Sequence, residues 1–154
     1  MAAALDLLAR RGVGTLQASS LYETQPVDLP GDRTLLNAAV EVSTALGPEE
    51  LMAVCLDVER QLGRDRGRPD WRPIDLDILL YGAWVFQTGG LAIPHPRLHQ
   101  RRFVLIPLAE IAPNIIHPIL GEEIAALLAG CTDTAWVKLS AASRDWFEQA
   151  PSFR

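Results

Sequence analysis

The run Arg72-Pro73-Ile74-Asp75-Leu76-Asp77-Ile78-Leu79-Leu80-Tyr81 alternates apolar and acidic residues and then turns wholly apolar, as a core strand with one buried face does. Asp75 and Asp77 then point to one side, about 6.6–6.8 Å apart along the chain, while Ile74, Leu76, Ile78 and Leu80 point to the other. Aspartate is disfavoured inside strands, so two of them on one face favour a ligand role over a solvated surface. On the N-terminal side lies Gly47-Pro48-Glu49-Glu50, which opens a helix with proline in its first turn and acids beside the positive end of its dipole. Leu51, Val54, Cys55, Val58 and Leu62 follow at helical spacing and Gly63 ends the helix. A helix feeding a strand through a short polar connection indicates a mixed α and β chain.

Farther out, Ala2 to Arg11 reads as a helix with Leu5 and Leu8 on one face, stopped by Gly12 and Gly14. Thr15 to Thr24 reads as a strand ended by Gln25-Pro26, before a polar loop through Asp28, Pro30, Gly31 and Asp32. Ala38 to Val42 is a short apolar strand, and another is expected around Ala83 to Gln87. Helices are expected near Leu105 to Ile111 and Ile124 to Leu128, and a last strand over Ala135 to Leu139. With 154 residues, 49% of them hydrophobic, the chain can bury one core, so a single domain over residues 1–154 is expected.

The net charge of −5 argues against a broad nucleic-acid or anionic-membrane surface. Of the fourteen basic residues only Lys138 is a lysine, so positive charge is carried almost wholly by guanidinium groups, which suit bidentate phosphate contacts. Five of them, Arg60, Arg64, Arg66, Arg68 and Arg72, come immediately before the Asp75/Asp77 strand. Carboxylates for Mg²⁺ beside clustered arginines describe a polyphosphate pocket, since phosphoryl-type transfer needs chiefly positioning and charge neutralisation. The competing interpretation is a solvated loop whose arginines pair with Glu59, Asp65 and Asp70. Neither a G-x-x-x-x-G-K-[ST] nor a G-x-G-x-x-G pattern occurs, so phosphates must be held without either motif. His95, bracketed by Pro94 and Pro96, suits phosphate or base contacts or a structural role better than a helical zinc face. Cys55 and Cys131 match no zinc or redox spacing and are expected to be reduced. No apolar run approaches the roughly 18–20 residues of a membrane span, and the start lacks the basic flank of a signal peptide, so a cytoplasmic protein is expected.

Six blocks in order resemble the 6-hydroxymethyl-7,8-dihydropterin pyrophosphokinases: Ser19-Ser20-Leu21-Tyr22-Glu23-Thr24-Gln25-Pro26-Val27, Leu36-Asn37-Ala38-Ala39-Val40, Gly63-Arg64, Arg72 through Leu79, Pro94-His95-Pro96-Arg97-Leu98, and Arg101-Arg102-Phe103. The resemblance implies an α+β, ferredoxin-like fold, an antiparallel sheet with helices packed on its faces. It implies pyrophosphoryl transfer from ATP to the pterin hydroxymethyl group in folate biosynthesis, with two Mg²⁺ ions, small-molecule partners only, and a monomer.

Carried over residue by residue, Asp75 and Asp77 resemble the metal ligands, and Arg64, Arg66 and Arg72 the catalytic arginines. Ile78, Leu91, His95 and Arg101 are similar to the ATP-binding residues. Thr24, Gln25, Pro26, Val27, Asn37, Trp71 and Phe103 are similar to the pterin-binding residues, with Trp71 on a shorter stretch than the family's. The family's opening strand and Gly-Ser-Asn turn have no counterpart in this sequence, which implies a late-assigned start, a substitute element or a degenerate relative, with folding or activity impaired if the slot stays open. A non-catalytic pterin- or nucleotide-binding relative is the alternative reading. A ferredoxin-like sensing domain, the third, leaves the aspartate pair and the arginines without purpose.

Overall fold

Pro48 has no backbone N–H to leave unpaired in a first helical turn, and Glu50 accepts the Gly47 N–H at 2.8 Å, so α2 (Pro48–Gln61) starts where the sequence indicates. Its buried stripe, Leu51, Cys55, Val58 and Glu59, contains one carboxylate. The computed structural model describes residues 1–25, 34–65, 67–68, 71–143 and 146–147. The polar loop expected after Pro26 lies outside them.

α1 (Ala2–Ala9) buries Ala4, Leu5 and Leu8 against α2. Gly12, at φ +79°, turns the chain into β1 (Val13–Ala18), a backbone conformation that costs glycine nothing. The expected strand from Thr15 to Thr24 is two strands, because residues 19–21 leave one sheet for another before β2 (Tyr22–Thr24). The return path does the same: β3 (Leu35–Asn37) pairs with β2, and β4 (Val40–Thr44) pairs with β1, both antiparallel. The two crossings are stitched together at Ser19, whose N–H donates to the Ala39 carbonyl (2.8 Å) and whose hydroxyl accepts the Ala39 N–H (2.9 Å). β5 (Phe86–Thr88) and β6 (Leu91–Ile93) form a third antiparallel pair. A 3₁₀ turn at Leu98–Gln100, α3 (Arg102–Ile111), α4 (Ile124–Gly130), β7 (Val137–Leu139) and a second 3₁₀ turn at Ala141–Ser143 complete the chain, with β7 antiparallel to β2. The α+β class, antiparallel pairing and helices packed against strands are as expected.

Residues 74–81, expected as a core strand, carry no ladder. The burial alternation is present: Asp75 and Asp77 are exposed, while Ile74, Leu76 and Ile78 pack into a core formed by α1, α2, β1 and β6. It stops at Ile78, because Leu79 and Leu80 both turn to a second core around Leu98, Leu105, Leu108, Ile124 and Leu127. The backbone bonds that a neighbouring strand would supply are made singly instead: the Leu76 N–H donates to Glu59 and the Leu79 carbonyl accepts the His95 N–H. This segment ties the two cores together with its aspartates facing outward.

Cys55 and Cys131 are free thiols. Burial, then the nearby Glu59 and Asp77 carboxylates, push the Cys55 thiol up to about 11, so it stays protonated and inert. No helix among the described residues is long and apolar enough to cross a membrane.

Next to the second core, His117 is 4% exposed, and its Nδ1 accepts the backbone N–H groups of Ile119 and Leu120. Its ring stands edge-on to His99, centroids 6.1 Å apart. Burial, then the neighbouring His99, lowers its pKa below 6.5. The unfolded chain therefore binds the proton more readily, and stability present above pH 6.5 is lost as pH falls below that value. Thermal unfolding at pH 7.5 and pH 5 is expected to show this loss. His117→Asn, which keeps an acceptor near Nδ1 but cannot be protonated, is expected to shrink it; an unchanged pH dependence in that variant would remove His117 as its source.

Candidate functional site

Glu59 is 2% exposed at the end of α2, although its position beside Arg60 suggests a surface partner for the arginine loop. It accepts the Leu76 N–H at 2.7 Å through Oε1 and pairs through Oε2 with Arg64. A buried carboxylate thus holds the backbone midway between Asp75 and Asp77, and also an arginine beside them. Arg64 reaches on to Asp75 at 3.3 Å, and Arg72 approaches the other oxygen of Asp75 at 3.9 Å. Two guanidinium groups therefore converge on one carboxylate. Asp77 makes no ion pair among the described residues.

His95 follows β6 and is half-buried. Burial lowers its pKa, the Asp77 charge opposes the shift, and Arg101 and Arg97 add to it. Its Nδ1 accepts the Arg97 N–H at 3.1 Å, which leaves Nε2 as the N–H of the neutral ring and therefore a donor. The guanidinium of Arg101 lies 5.4 Å from the centroid of Phe103, a cation–π contact that covers one face of that ring. The charged region therefore rests on the ion pairs of Asp75 with Arg64 and Arg72 and on the charges of Asp77 and Arg101 acting at His95. Ile78 and Leu91 are buried in the core beneath it.

The other group of expected residues lies on the β3-β2-β7 sheet and α3. Thr24 is 1% exposed at the end of β2, and its hydroxyl accepts from the Asn37 Nδ2 at 2.7 Å. Asn37 pairs with Tyr22 across the β2–β3 ladder. Gln25 is exposed, and its N–H donates to the Trp136 carbonyl at 3.2 Å. Phe103 sits in the first turn of α3, whose start is fixed by Asp133: one carboxylate oxygen accepts the Arg102 N–H and the other the Ala135 N–H, both at 2.9 Å. Trp71 is 52% exposed, its N–H bound to the Arg68 carbonyl. Arg66, Pro26 and Val27 lie outside the described residues.

Two residues beyond those expected hold this arrangement in place, Glu59 and Asp133. Glu59 had a signal in the sequence, because it sits eight residues after Leu51, four after Cys55 and three before Leu62, on the apolar stripe of α2. Asp133 had none, since its partners are thirty-one and two residues away in a segment without periodicity.

The family model of 7,8-dihydro-6-hydroxymethylpterin-pyrophosphokinase matches residues 1–113. The chain is 43% identical over 115 residues to the 2-amino-4-hydroxy-6-hydroxymethyldihydropteridine pyrophosphokinase of Bacillus subtilis, covering 73% of this chain and 68% of that one. To the protein of the same description from Methylorubrum extorquens it is 41% identical over 125 residues, 80% of this chain and 77% of that one. A mitochondrial folate synthesis bifunctional protein of Arabidopsis thaliana is 40% identical over 143 residues, 91% of this chain. The chain spans only 18–26% of the length of that protein and of similar fungal and pea relatives.

Proposed function

The chain belongs to the 7,8-dihydro-6-hydroxymethylpterin-pyrophosphokinase family, and from that membership we propose that it transfers the pyrophosphoryl group of ATP to the hydroxymethyl oxygen of 6-hydroxymethyl-7,8-dihydropterin, releasing AMP. The observation that carries this reading is the convergence of Arg64 and Arg72 on Asp75, next to Asp77, which makes no ion pair among the described residues and whose charge acts on His95.

Asp75 and Asp77 suit a divalent cation. Both are exposed hard-oxygen donors two residues apart, and no group of three or more His, Cys, Asp or Glu ligands occurs among the described residues. Mg²⁺ is commonly held by one or two carboxylates while substrate phosphates and water complete its shell. When bound, Mg²⁺ neutralises triphosphate charge and makes the hydroxymethyl oxygen a better nucleophile. With Mg²⁺ bound, Asp75 would share its charge between the ion and these arginines, and Arg64 and Arg72 would offer guanidinium donors to phosphate oxygens. Arg101 adds a third cation, and the Nε2–H of His95 a neutral donor.

On the other side, Asn37, whose amide is oriented by the buried Thr24 hydroxyl, offers its remaining amide donor and acceptor to the edge of a flat heterocycle, and the Phe103 ring offers a face for stacking. In the reaction the hydroxymethyl oxygen bonds to the β-phosphorus of ATP, the bond from that phosphorus to the α,β-bridging oxygen breaks, AMP leaves with that oxygen, and the hydroxyl proton passes to solvent. No side chain becomes covalently attached, so the residues act by orientation and charge. The ferredoxin-like class of the family accords with the antiparallel pairs and their packed helices.

The test is incubation of the full chain with ATP, Mg²⁺ and 6-hydroxymethyl-7,8-dihydropterin, with AMP and ADP quantified. AMP formed only when the pterin is present is the expected result. ADP in its place, or ATP and pterin bound with no AMP, would overturn the reading, the second outcome in favour of a non-catalytic binding relative.

A further inference from the structure

Glu110 sits near the end of α3 on the protein surface, yet its carboxylate takes four hydrogen bonds from one short stretch of chain. Both oxygens accept the Ser20 N–H at 3.0 Å, Oε1 accepts the Ser20 hydroxyl at 2.8 Å, and Oε2 accepts the Tyr22 phenol at 2.9 Å. Ser20 is the middle of the crossing where the chain leaves one sheet for the other, and Tyr22 begins β2. Two residues after Tyr22 comes Thr24, and the ladder partner of Tyr22 is Asn37.

The helix bearing Glu110 also bears Phe103. The two are seven residues apart, two turns along one helical face and about 10.5 Å along the axis. At the Phe103 end, Asp133 already fastens α3 to the segment that runs into β7, the other neighbour of β2. From these contacts we infer that Glu110 is a positioning residue for the pterin, fixing the separation between the Phe103 ring that stacks on it and the Asn37 amide, itself held by Thr24, that reads its edge. This rests on the reading proposed above for that site.

The physical reason is reach. A flat ring of fixed thickness is gripped well only if the stacking face and the edge-reading groups keep their spacing, and small displacements in such sites cost large factors. Without the Glu110 contacts, no side-chain hydrogen bond among the described residues joins α3 directly to β2, and the remaining tie runs through Asp133 at the far end of the helix. Thermal melts of each variant separate any loss of overall stability from the effect on the pocket. Tyr22 reports the contact directly: burial first, then the hydrogen bond and charge of Glu110, push its phenol up to about 12.

The experiment uses the full chain with Glu110→Ala and Glu110→Gln. The Michaelis constant for the pterin is expected to rise about tenfold in the alanine variant and less in the glutamine variant, while that for ATP moves less than about twofold. Spectrophotometric titration of the phenols is expected to show the higher of the two tyrosine ionisations falling in both variants. A phenol that shifts while the pterin constant stays at its wild-type value shows a clamp that positions nothing, and overturns the inference. So does a parallel rise for ATP and pterin, the mark of a general structural defect. If the alanine variant does not fold, Ser20→Ala and Tyr22→Phe, which each remove part of the same contact, carry the measurement. A wild-type chain that neither binds the pterin nor makes AMP defeats the functional reading and this inference together. Wild-type turnover with an unchanged pterin constant in Glu110→Ala defeats the inference alone.

Discussion

Asp77→Ala is expected to lower pterin-dependent AMP formation by roughly a thousandfold or more, the scale of several kcal/mol of charge stabilisation lost in the transition state. The expectation follows from what surrounds the carboxylate. Asp75 is already engaged by Arg64 and Arg72, so part of its charge is spent before any ligand arrives. Asp77 has no such partner among the described residues and projects from a stretch anchored on both sides by Ile74, Leu76 and Ile78. An exposed side chain without ion pairs contributes little to folding, so the variant should unfold within about 0.5 kcal/mol of the wild type. Asp77→Asn separates charge from shape: it keeps the size and an oxygen but cannot neutralise a cation, and turnover should fall nearly as far. Steady-state AMP formation with parallel thermal melts decides the matter. Turnover within threefold of wild type in either variant would sink the assignment of Asp77 to the metal.

The features that made this site legible in the sequence are local ones. Two aspartates separated by one apolar residue can be placed on one face from the period of the chain alone, and the burial pattern from Ile74 to Ile78 follows that period. The α2 helix was equally legible, because Pro48, Glu50 and the stripe from Leu51 act within single turns. What the period could not give was pairing. The 74–81 stretch has the pattern of a strand without a ladder, since its hydrogen bonds come from the side chain of Glu59 and the backbone of His95, seventeen and sixteen positions from their acceptor or donor. Nor could it give the change of core at Leu79, where two consecutive leucines face the same way because two separate clusters must both be filled. The single strand expected from Thr15 to Thr24 divides for a related reason: Ser19 can satisfy Ala39 only if both chains cross there, and that is decided twenty residues downstream. The site residues follow the same rule. Residue type and spacing point to Asp75, Asp77 and the arginines, and the apolar stripe of α2 to Glu59, whereas Asp133 and Glu110 are defined by distant partners.

Glu59 is the group on which fold and chemistry depend together, and its removal is the second large effect. In Glu59→Ala the Arg64 guanidinium loses its buried counter-charge and the Leu76 N–H loses its acceptor. Breaking a buried pair from one side costs about 3–5 kcal/mol, and because the Arg64 side chain keeps 28% exposure and can turn to water, the lower end applies. For a chain of this length that corresponds to a fall of roughly 10 °C in Tm. Such a loss alone would not show a role in the reaction. Glu59→Gln does, because the amide oxygen can still accept from Leu76 while the amide nitrogen cannot counter a guanidinium. That variant should recover the share of the stability carried by the Leu76 N–H but not that of the ion pair, and with Arg64 no longer held by Glu59 the Michaelis constant for ATP should rise and turnover fall by about tenfold or more. If Glu59→Gln turns over like wild type while Glu59→Ala melts early, Glu59 serves folding only, and the orientation of Arg64 must come from Asp75. If both variants lose turnover alike while the alanine variant alone loses the further stability carried by Leu76, the buried carboxylate sets the arginine against the metal face through its charge, and one side chain at the end of α2 serves the core and the phosphates at once.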